Sequence, residues 1–260
     1  MASPLLCDNV TPECPVEASI YGYYPNTFAN CFFAAFFGLF TFLNVYLGWR
    51  YRTWTYMIGM GLGCLSSCVG YAGRIMLHTN PFNSTAFKLQ ITLLIIAPAY
   101  LSAAIYLTLK HICLCFGEKW SRIRPRFYTW IFIFADSISL ALQGAGGGIA
   151  ASAGSNSKLR AKGDHLAMAG IVWQVFTLTA FGVFVVDFVV RRKRALKLHP
   201  FSEEAKATIS SSKFRLFALG LATAFIAIFL RCVYRIPEMS GGWRNPIMQN
   251  EMLFIICEGV

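Results

Sequence analysis

The feature that most constrains this chain is a series of apolar runs, each close to twenty residues long. An α-helix rises about 1.5 Å per residue, so a run of this length crosses a hydrocarbon core about 30 Å thick. The chain is 56% hydrophobic and only 13% charged. A soluble domain carries about a quarter charged residues and could not hide so much apolar surface. We therefore predict an all-α, polytopic membrane protein.

The runs divide the chain into a polar head, residues 1–26, and one transmembrane domain, residues 27–260. They are placed at 27–48, 54–77, 90–109, 127–150, 165–188, 214–235 and 246–260. This spacing predicts a bundle of seven transmembrane helices. The last run, from Pro246, is too short for an ordinary span. We expect the seventh helix to be truncated here rather than unusually short.

Basic residues predict the orientation of the bundle, because Lys and Arg are enriched in cytoplasmic loops. They concentrate after the first, third and fifth runs, and residues 191–194 are four basic residues in a row. The head contains no Lys or Arg. We predict an extracellular N-terminus and a cytoplasmic C-terminus.

Two features of the predicted outer side agree with this orientation. N-glycosylation sequons begin at Asn9 and Asn83, and such sites lie on the outside of a membrane protein. Cys7 and Cys14 lie in the head, where an oxidising environment permits a disulfide. Whether these two cysteines pair stays open at this point.

Charge and motifs exclude several classes of function. The formal net charge is +11, but Lys and Arg gather at the ends of the apolar runs, as membrane topology requires. The chain has no GxxxxGK[ST], HExxH or GxSxG motif and no CxxC pair. We expect no enzymatic activity, no cofactor, no metal and no nucleic-acid partner; the expected partners are membrane lipids.

Polar side chains inside apolar runs are costly to bury and are therefore the default functional candidates. Asp136 lies deep in the fourth run, and Gln143 follows seven residues later on the same helical face. Gln174 lies inside the fifth run and Glu258 inside the last. These four residues are the candidates for a translocation site.

A second set of polar residues lies near the predicted outer ends of the runs. The members are Arg74, Gln90, Arg231, Arg235, Glu238 and Glu251. Their charges nearly cancel, so one interpretation is a structural network that joins the second, sixth and seventh helices. The other is a polar cavity for a headgroup, open to the outside.

Two pairs of glycines have the GxxxG spacing that lets transmembrane helices approach closely. They are Gly59 with Gly63 and Gly144 with Gly148. Both pairs predict helix packing. For the second pair, an unwound helix end lining a cavity is the alternative.

An ordered set of motifs resembles the fungal RTA-like proteins, the lipid-translocating exporter family. Gly70-Tyr71 precedes Arg74, and Ala97-Pro98-Ala99-Tyr100 follows in the next run. The other matching positions are Gln90, Ala103, Tyr106, Asp136, Gln143, Gly144, Gly170, Gln174, Arg231, Arg235, Glu238, Glu251 and Glu258. Ser67 stands where that family has an acidic residue, and Ile255 where it has an aromatic one.

The resemblance implies a seven-span protein of the fungal plasma membrane that confers resistance. It would move amphipathic lipids of the sphingoid long-chain base class, or toxic lipid-like drugs, toward the outer leaflet. A cationic base would need a carboxylate along its path, and Asp136 and Glu258 are the deep candidates. The rival hypothesis is a seven-helix receptor or sensor that regulates lipid asymmetry or a stress response. The sequence leaves these alternatives, and the oligomeric state, open.

Overall fold

The computed structural model describes residues 10–11, 14–19, 21–116, 125–153, 156–195, 211–240 and 249–259. This part of the chain forms seven α-helices and one short 3₁₀ helix, Val16–Ala18. The α-helices are α1 (Thr27–Arg50), α2 (Trp54–Thr79), α3 (Ser84–Phe116), α4 (Pro125–Ser152), α5 (Ser157–Ala195), α6 (Ser212–Ser240) and α7 (Glu251–Gly259). The helices α1 to α6 are long and apolar enough to cross a membrane. The predicted polytopic helical membrane fold is confirmed.

Asparagines begin alternate helices and explain why some helices start earlier than the apolar runs. Asn83 Oδ1 accepts hydrogen bonds from the backbone N–H groups of Thr85 and Ala86, each 3.1 Å long. Asn26, Asn156 and Asn250 accept the same kind of bond at the starts of α1, α5 and α7. An asparagine at this position satisfies donors that a helix leaves unpaired. The third helix therefore starts at Ser84, before the run that begins at residue 90.

Helix α3 occupies the centre of the bundle, where it contacts α2, α4 and α6. Next to it, α4 packs on α5 and α5 on α6, while α1 packs on α2 at the periphery. The main apolar core lies between α3, α4, α5 and α6, and the ring of Tyr106 is buried in it. Its ring centroid lies 4.5 Å from that of Phe181. In contrast, α1 exposes a series of phenylalanines, as a lipid-facing helix does.

Glycines set the close approach of α2 to α3. A Cβ atom on Gly63 would lie 2.7 Å from Leu101 Cδ2, and one on Gly59 would lie 3.5 Å from the carbonyl oxygen of Tyr100. Gly70 is equally crowded, since its added Cβ would lie 2.9 Å from Leu94 Cγ. Gly59 and Gly63 therefore lie at the helix interface where the sequence places them.

Helix α4 approaches α5 closely at a glycine that does not belong to the predicted GxxxG pair. Gly144 and Gly148 face open space, whereas Gly146 is buried against Gly163 and Ala167 of α5. A Cβ atom on Gly146 would lie 2.6 Å from the carbonyl oxygen of Gly163. Since α4 remains helical to Ser152, the alternative of an unwound end at these glycines is wrong.

The polar head folds onto the end of the bundle that holds the N-terminal side of α1, which we call the outer end. Tyr21 is buried there against Leu77 of α2 and Phe87 of α3. Cys14 is disulfide-bonded. Cys7 and Asn9 lie outside the described residues, so the pairing of Cys7 with Cys14 and the glycosylation of Asn9 stay predictions.

Candidate functional site

Asp136 is a buried acidic residue of the candidate site, and α3 holds it in place. Its side chain belongs to α4 and the residue is only 3% exposed. Oδ2 accepts hydrogen bonds from Ser102 Oγ at 2.7 Å and Tyr106 Oη at 3.0 Å. Ser102 and Tyr106 are four residues apart, so both hydroxyls lie on one face of α3.

The other oxygen of this carboxylate has a different environment. Within the part of the chain that the structure describes, Asp136 Oδ1 receives no hydrogen bond. No described basic side chain forms an ion pair with Asp136. Burying a carboxylate is costly unless it is paired and hydrogen-bonded, so Oδ1 is the atom best placed to bind a cationic or donor group.

Gln143 and Gln174 form a second polar contact, two turns along α4 from Asp136. Gln143 Nε2 donates to Gln174 Oε1 at 3.1 Å, and both side chains are buried. Gly170 makes this contact feasible, because a Cβ atom there would lie 2.7 Å from Gln143 Cγ. The amide pair therefore depends on the close packing of α4 and α5.

A small cavity lies between the glutamines and Arg235 of the outer polar cluster. Its lining comes from α3, α4, α5 and α6 and consists of Leu94, Ile95, Pro98, Gln143, Ile171, Gln174, Cys232 and Arg235. The cavity volume is about 10 Å³, which is on the scale of one water molecule. A lipid headgroup does not fit in this conformation, so its passage would require the four helices to move apart.

Pro98 explains the position of Arg231. A proline inside a helix has no N–H for the carbonyl four residues earlier, which in α3 is the carbonyl of Leu94. Arg231 of α6 donates from Nη2 to this oxygen at 3.1 Å. A neighbouring helix thus supplies the donor that the proline removes, as transmembrane helices often require.

Arg235 and Glu238 form the buried ion pair of the outer polar cluster. The Arg235 Nη1 to Glu238 Oε2 distance is 3.0 Å, and both side chains are almost inaccessible. Glu251, in contrast, accepts a hydrogen bond from the backbone N–H of Asn26 at the start of α1. The two carboxylates of this cluster therefore serve different partners.

Arg74 is fully buried, with 0% exposure, in a cage of aromatic side chains. Its guanidinium lies 3.6 Å from the ring centroid of Phe254 and 5.0 Å from that of Tyr21. Nη2 donates to the hydroxyl of Tyr23 at 2.6 Å. Cation–π contacts of this kind contribute about 0.5–2 kcal/mol, whereas burying a charge costs several kcal/mol. The aromatic cage alone does not offset the burial of Arg74.

The tyrosines of the polar head are the site residues that the sequence interpretation missed. Tyr21 accepts a hydrogen bond from Gln90 Nε2 at 2.6 Å, while Tyr23 binds Arg74. Gly22 between them has φ +73°, a conformation that glycine adopts without strain. The available signal was the succession Tyr21-Gly22-Tyr23-Tyr24-Pro25, which is unusually aromatic for a polar segment.

A tyrosine hydroxyl is protonated at neutral pH, and burial raises the pKa of Tyr21 and Tyr23 further. Desolvation raises the pKa of Tyr23 to about 12, with Arg74 as the largest opposing influence. The pKa of Tyr21 is also raised by burial, and Arg74 again opposes the shift. The outer end is therefore closed by two neutral hydroxyl groups, one on the Arg74 guanidinium and one on the Gln90 amide.

The predicted site residues do not form one cluster; they lie in several small groups, each with its own partner. Asp136 is bound by α3, the two glutamines bind each other, and Arg235 binds Glu238. Arg74 and Gln90 bind head tyrosines, Arg231 a backbone carbonyl and Glu251 the start of α1. The side chain of Glu258 lies outside the described part. Among the residues that are described, no cluster of His, Cys, Asp and Glu could hold a metal ion.

Comparison with known proteins places this geometry in context. A family model described as RTA1 like protein matches residues 60–260. The chain is 29% identical over 217 residues to the sphingoid long-chain base transporter RSB1 of Saccharomyces cerevisiae, covering 74% of this chain and 57% of that protein.

Two other proteins of the same yeast are similar to the chain. Identity to Protein RTM1 is 30% over 211 residues, covering 80% of this chain and 64% of that protein. Identity to Protoporphyrin uptake protein 1 is 32% over 201 residues, covering 76% and 62%. The chain spans about three fifths of the length of these relatives. No solved structure matches it.

Proposed function

The chain belongs to the RTA1-like family of membrane proteins, and from this premise we propose that it moves amphipathic lipids toward the outer leaflet. The proposed substrates are sphingoid long-chain bases, in line with the name of one relative, and toxic lipid-like drugs of similar character. The proposed location is the fungal plasma membrane, where such outward movement would confer resistance.

The observation that carries the proposal is the buried Asp136 carboxylate. Ser102 and Tyr106 bind Oδ2, which fixes the orientation of the carboxylate and directs Oδ1 away from α3's two hydroxyls. An ammonium headgroup supplies both the positive charge and the N–H donors that Oδ1 lacks among the described residues. Ionisable residues at this depth commonly mark a substrate path.

The cavity lined by the glutamines lies on the proposed route of the lipid. It lies between the same four helices that surround the core around Tyr106. Gln143 and Gln174 offer an amide acceptor and donor to the hydroxyl groups of a sphingoid base after it leaves Asp136. The small volume of the cavity means that the proposed cycle includes a more open conformation.

The proposal is tested with the purified full chain in liposomes and a labelled sphingoid base. Asp136→Asn keeps the shape and the hydroxyl contacts but removes the charge. We expect its yield and melting temperature to stay near normal, while lipid movement falls about tenfold or more, as loss of ~1.4 kcal/mol of binding would produce. Asp187→Asn, in an exposed ion pair with Arg191, is the matched control and should move lipid normally.

An N-acetylated base of the same chain length provides a second control, because it has no positive charge. Its movement should be slow and insensitive to Asp136→Asn. Full movement of the charged base by a well-folded Asp136→Asn variant would refute the role of Asp136. If liposomes that contain the wild-type protein move neither lipid while cells expressing it remain resistant, the receptor hypothesis replaces the transport hypothesis.

A further inference from the structure

Arg74 is a second buried charge, and the proposed transport role of Asp136 does not use it. Its guanidinium is fully buried, and two of its nitrogens, Nε and Nη1, donate no hydrogen bond to any residue that the structure describes. The neighbouring arginines differ, since Arg235 pairs with Glu238 and Arg231 binds the carbonyl of Leu94. A buried charge of this kind calls for a named counter-ion.

The carboxylates near Arg74 are engaged elsewhere. Glu238 forms its ion pair with Arg235, and Glu251 accepts the backbone N–H of Asn26. Glu251 influences the Tyr23 hydroxyl electrostatically, but among the described residues neither carboxylate forms an ion pair with Arg74. The group that does bind the guanidinium is the neutral hydroxyl of Tyr23.

The position of Tyr23 on the guanidinium is informative. An arginine can bind an oxyanion with two parallel hydrogen bonds through either of two edges, Nε with Nη2 or Nη1 with Nη2. Nη2 belongs to both edges, and it is the atom that donates to Tyr23. Tyr23 is only half-buried and belongs to the head segment rather than to a helix. Tyr23 takes one of the two Nη2 protons, so its withdrawal would free both donors of one edge.

The depth of Arg74 indicates where the oxyanion would come from. Arg74 lies five residues before the end of α2 at Thr79, or about 7.5 Å along the helix axis. The headgroup layer on each side of a bilayer is roughly 5–7 Å thick. The guanidinium therefore lies near the level at which lipid phosphates meet the hydrocarbon.

We propose that Arg74 is a binding site for a phosphate group, supplied by an outer-leaflet lipid headgroup or by free phosphate, and that Tyr23 occupies the site until the phosphate displaces it. The fork of the guanidinium matches the geometry of a phosphate, which a lysine does not. The rings of Phe254 and Tyr21 hold the guanidinium in place while the hydroxyl is exchanged for the anion.

The test uses the full chain in a phosphate-free, non-ionic detergent. Inorganic phosphate and dihexanoyl phosphatidic acid are titrated separately by calorimetry, with chloride at matched ionic strength as the reference. We expect the wild type to bind at least one of the two, and Arg74→Gln to bind about tenfold more weakly or worse because the charged fork is lost. Binding of the lipid alone identifies a lipid headgroup as the ligand, and binding of inorganic phosphate shows that the phosphate group is sufficient.

Tyr23→Phe keeps the proposal falsifiable if Arg74→Gln fails to fold. Removing the competing hydroxyl should tighten phosphate binding by about threefold or more, the order expected for one hydrogen bond. Arg52→Gln, at the opposite end of the bundle, should bind as the wild type does. Asp136→Asn should also bind normally, which separates this proposal from the transport role. Weaker or unchanged binding by Tyr23→Phe, or wild-type binding by a folded Arg74→Gln, would overturn it.

Discussion

Asp136 and Arg74 show how single buried charges are accommodated in this bundle. Hydroxyl groups bind each of them: Ser102 and Tyr106 at the carboxylate, and Tyr23 at the guanidinium. A hydroxyl satisfies hydrogen bonding but does not cancel a charge. The ligands proposed for the two sites are therefore groups of opposite charge, an amine at Asp136 and an oxyanion at Arg74.

Pro98 and Arg231 provide a residue-scale prediction, because one removes a donor and the other replaces it. Arg231→Met leaves the buried Leu94 carbonyl without that donor, which should lower the free energy of unfolding by about 1–3 kcal/mol. In a Pro98→Ala background the backbone N–H of residue 98 becomes available, so the same change should cost less. Melting temperatures in detergent would measure the difference.

The control for this cycle is Pro237→Ala, since the carbonyl affected by Pro237 belongs to Val233 and not to Leu94. Arg231→Met should cost the same with and without Pro237→Ala. Additive effects of Arg231→Met and Pro98→Ala would show that the two residues are not coupled through the Leu94 carbonyl.

The depth of a charge could be predicted from the sequence, but its partners could not. Asp136 lies inside a long apolar run, so its burial follows from its position alone. Ser102 and Tyr106 reach it because α3 and α4 are rotated to face each other, and that rotation is set by packing along the whole helix pair. Tyr21 and Tyr23 were missed for the same reason, because nothing local shows that a polar head folds back onto the bundle.

At the scale of the helices, the glycine interfaces show which part of a motif is informative. Gly59 and Gly63 lie at the interface of α2 and α3, as GxxxG spacing predicts. Between Gly144 and Gly148, four glycines lie on different sides of α4. Their spacing alone does not identify the side that meets α5. Gly146 lies on that side, where it packs against the backbone of Gly163 and Ala167 of α5.

Gly146 and Gly144 therefore form a matched pair for a stability test. Gly146→Ala would force α4 away from the backbone of Gly163 and Ala167, and such overpacking costs about 1–3 kcal/mol. Gly144→Ala adds a methyl group to open space and should be neutral or slightly stabilising, because alanine favours helix. Thermal unfolding of the two variants in the same detergent compares them directly; equal melting temperatures would contradict the assigned interface.

At the scale of the whole molecule, the polar head closes the outer end of the bundle. The head covers the outer end through Tyr21, Tyr23 and the hydrogen bond from Asn26 to Glu251. His78 adds a contact from its Nδ1 to the carbonyl oxygen of Pro25, at 2.8 Å. On the proposed route from Asp136 through the cavity to the outer leaflet, a lipid would therefore have to displace or go around this cover.

The orientation of the bundle decides which leaflet this cover faces, and it remains a prediction from the basic residues. We expect Asn9 and Asn83 outside and residues 191–215 in the cytoplasm. A glycosidase-sensitive mass shift should disappear in an Asn9→Gln/Thr85→Ala variant. Thr85→Ala is preferred to a change at Asn83, because Asn83 Oδ1 caps α3 and its loss would disturb the helix start.

In intact cells, external protease should remove a tag at the N-terminus and spare one near Lys206. Cleavage at Lys206 with protection of the N-terminal tag would reverse the orientation and place Tyr23 and Arg74 in the cytoplasmic leaflet.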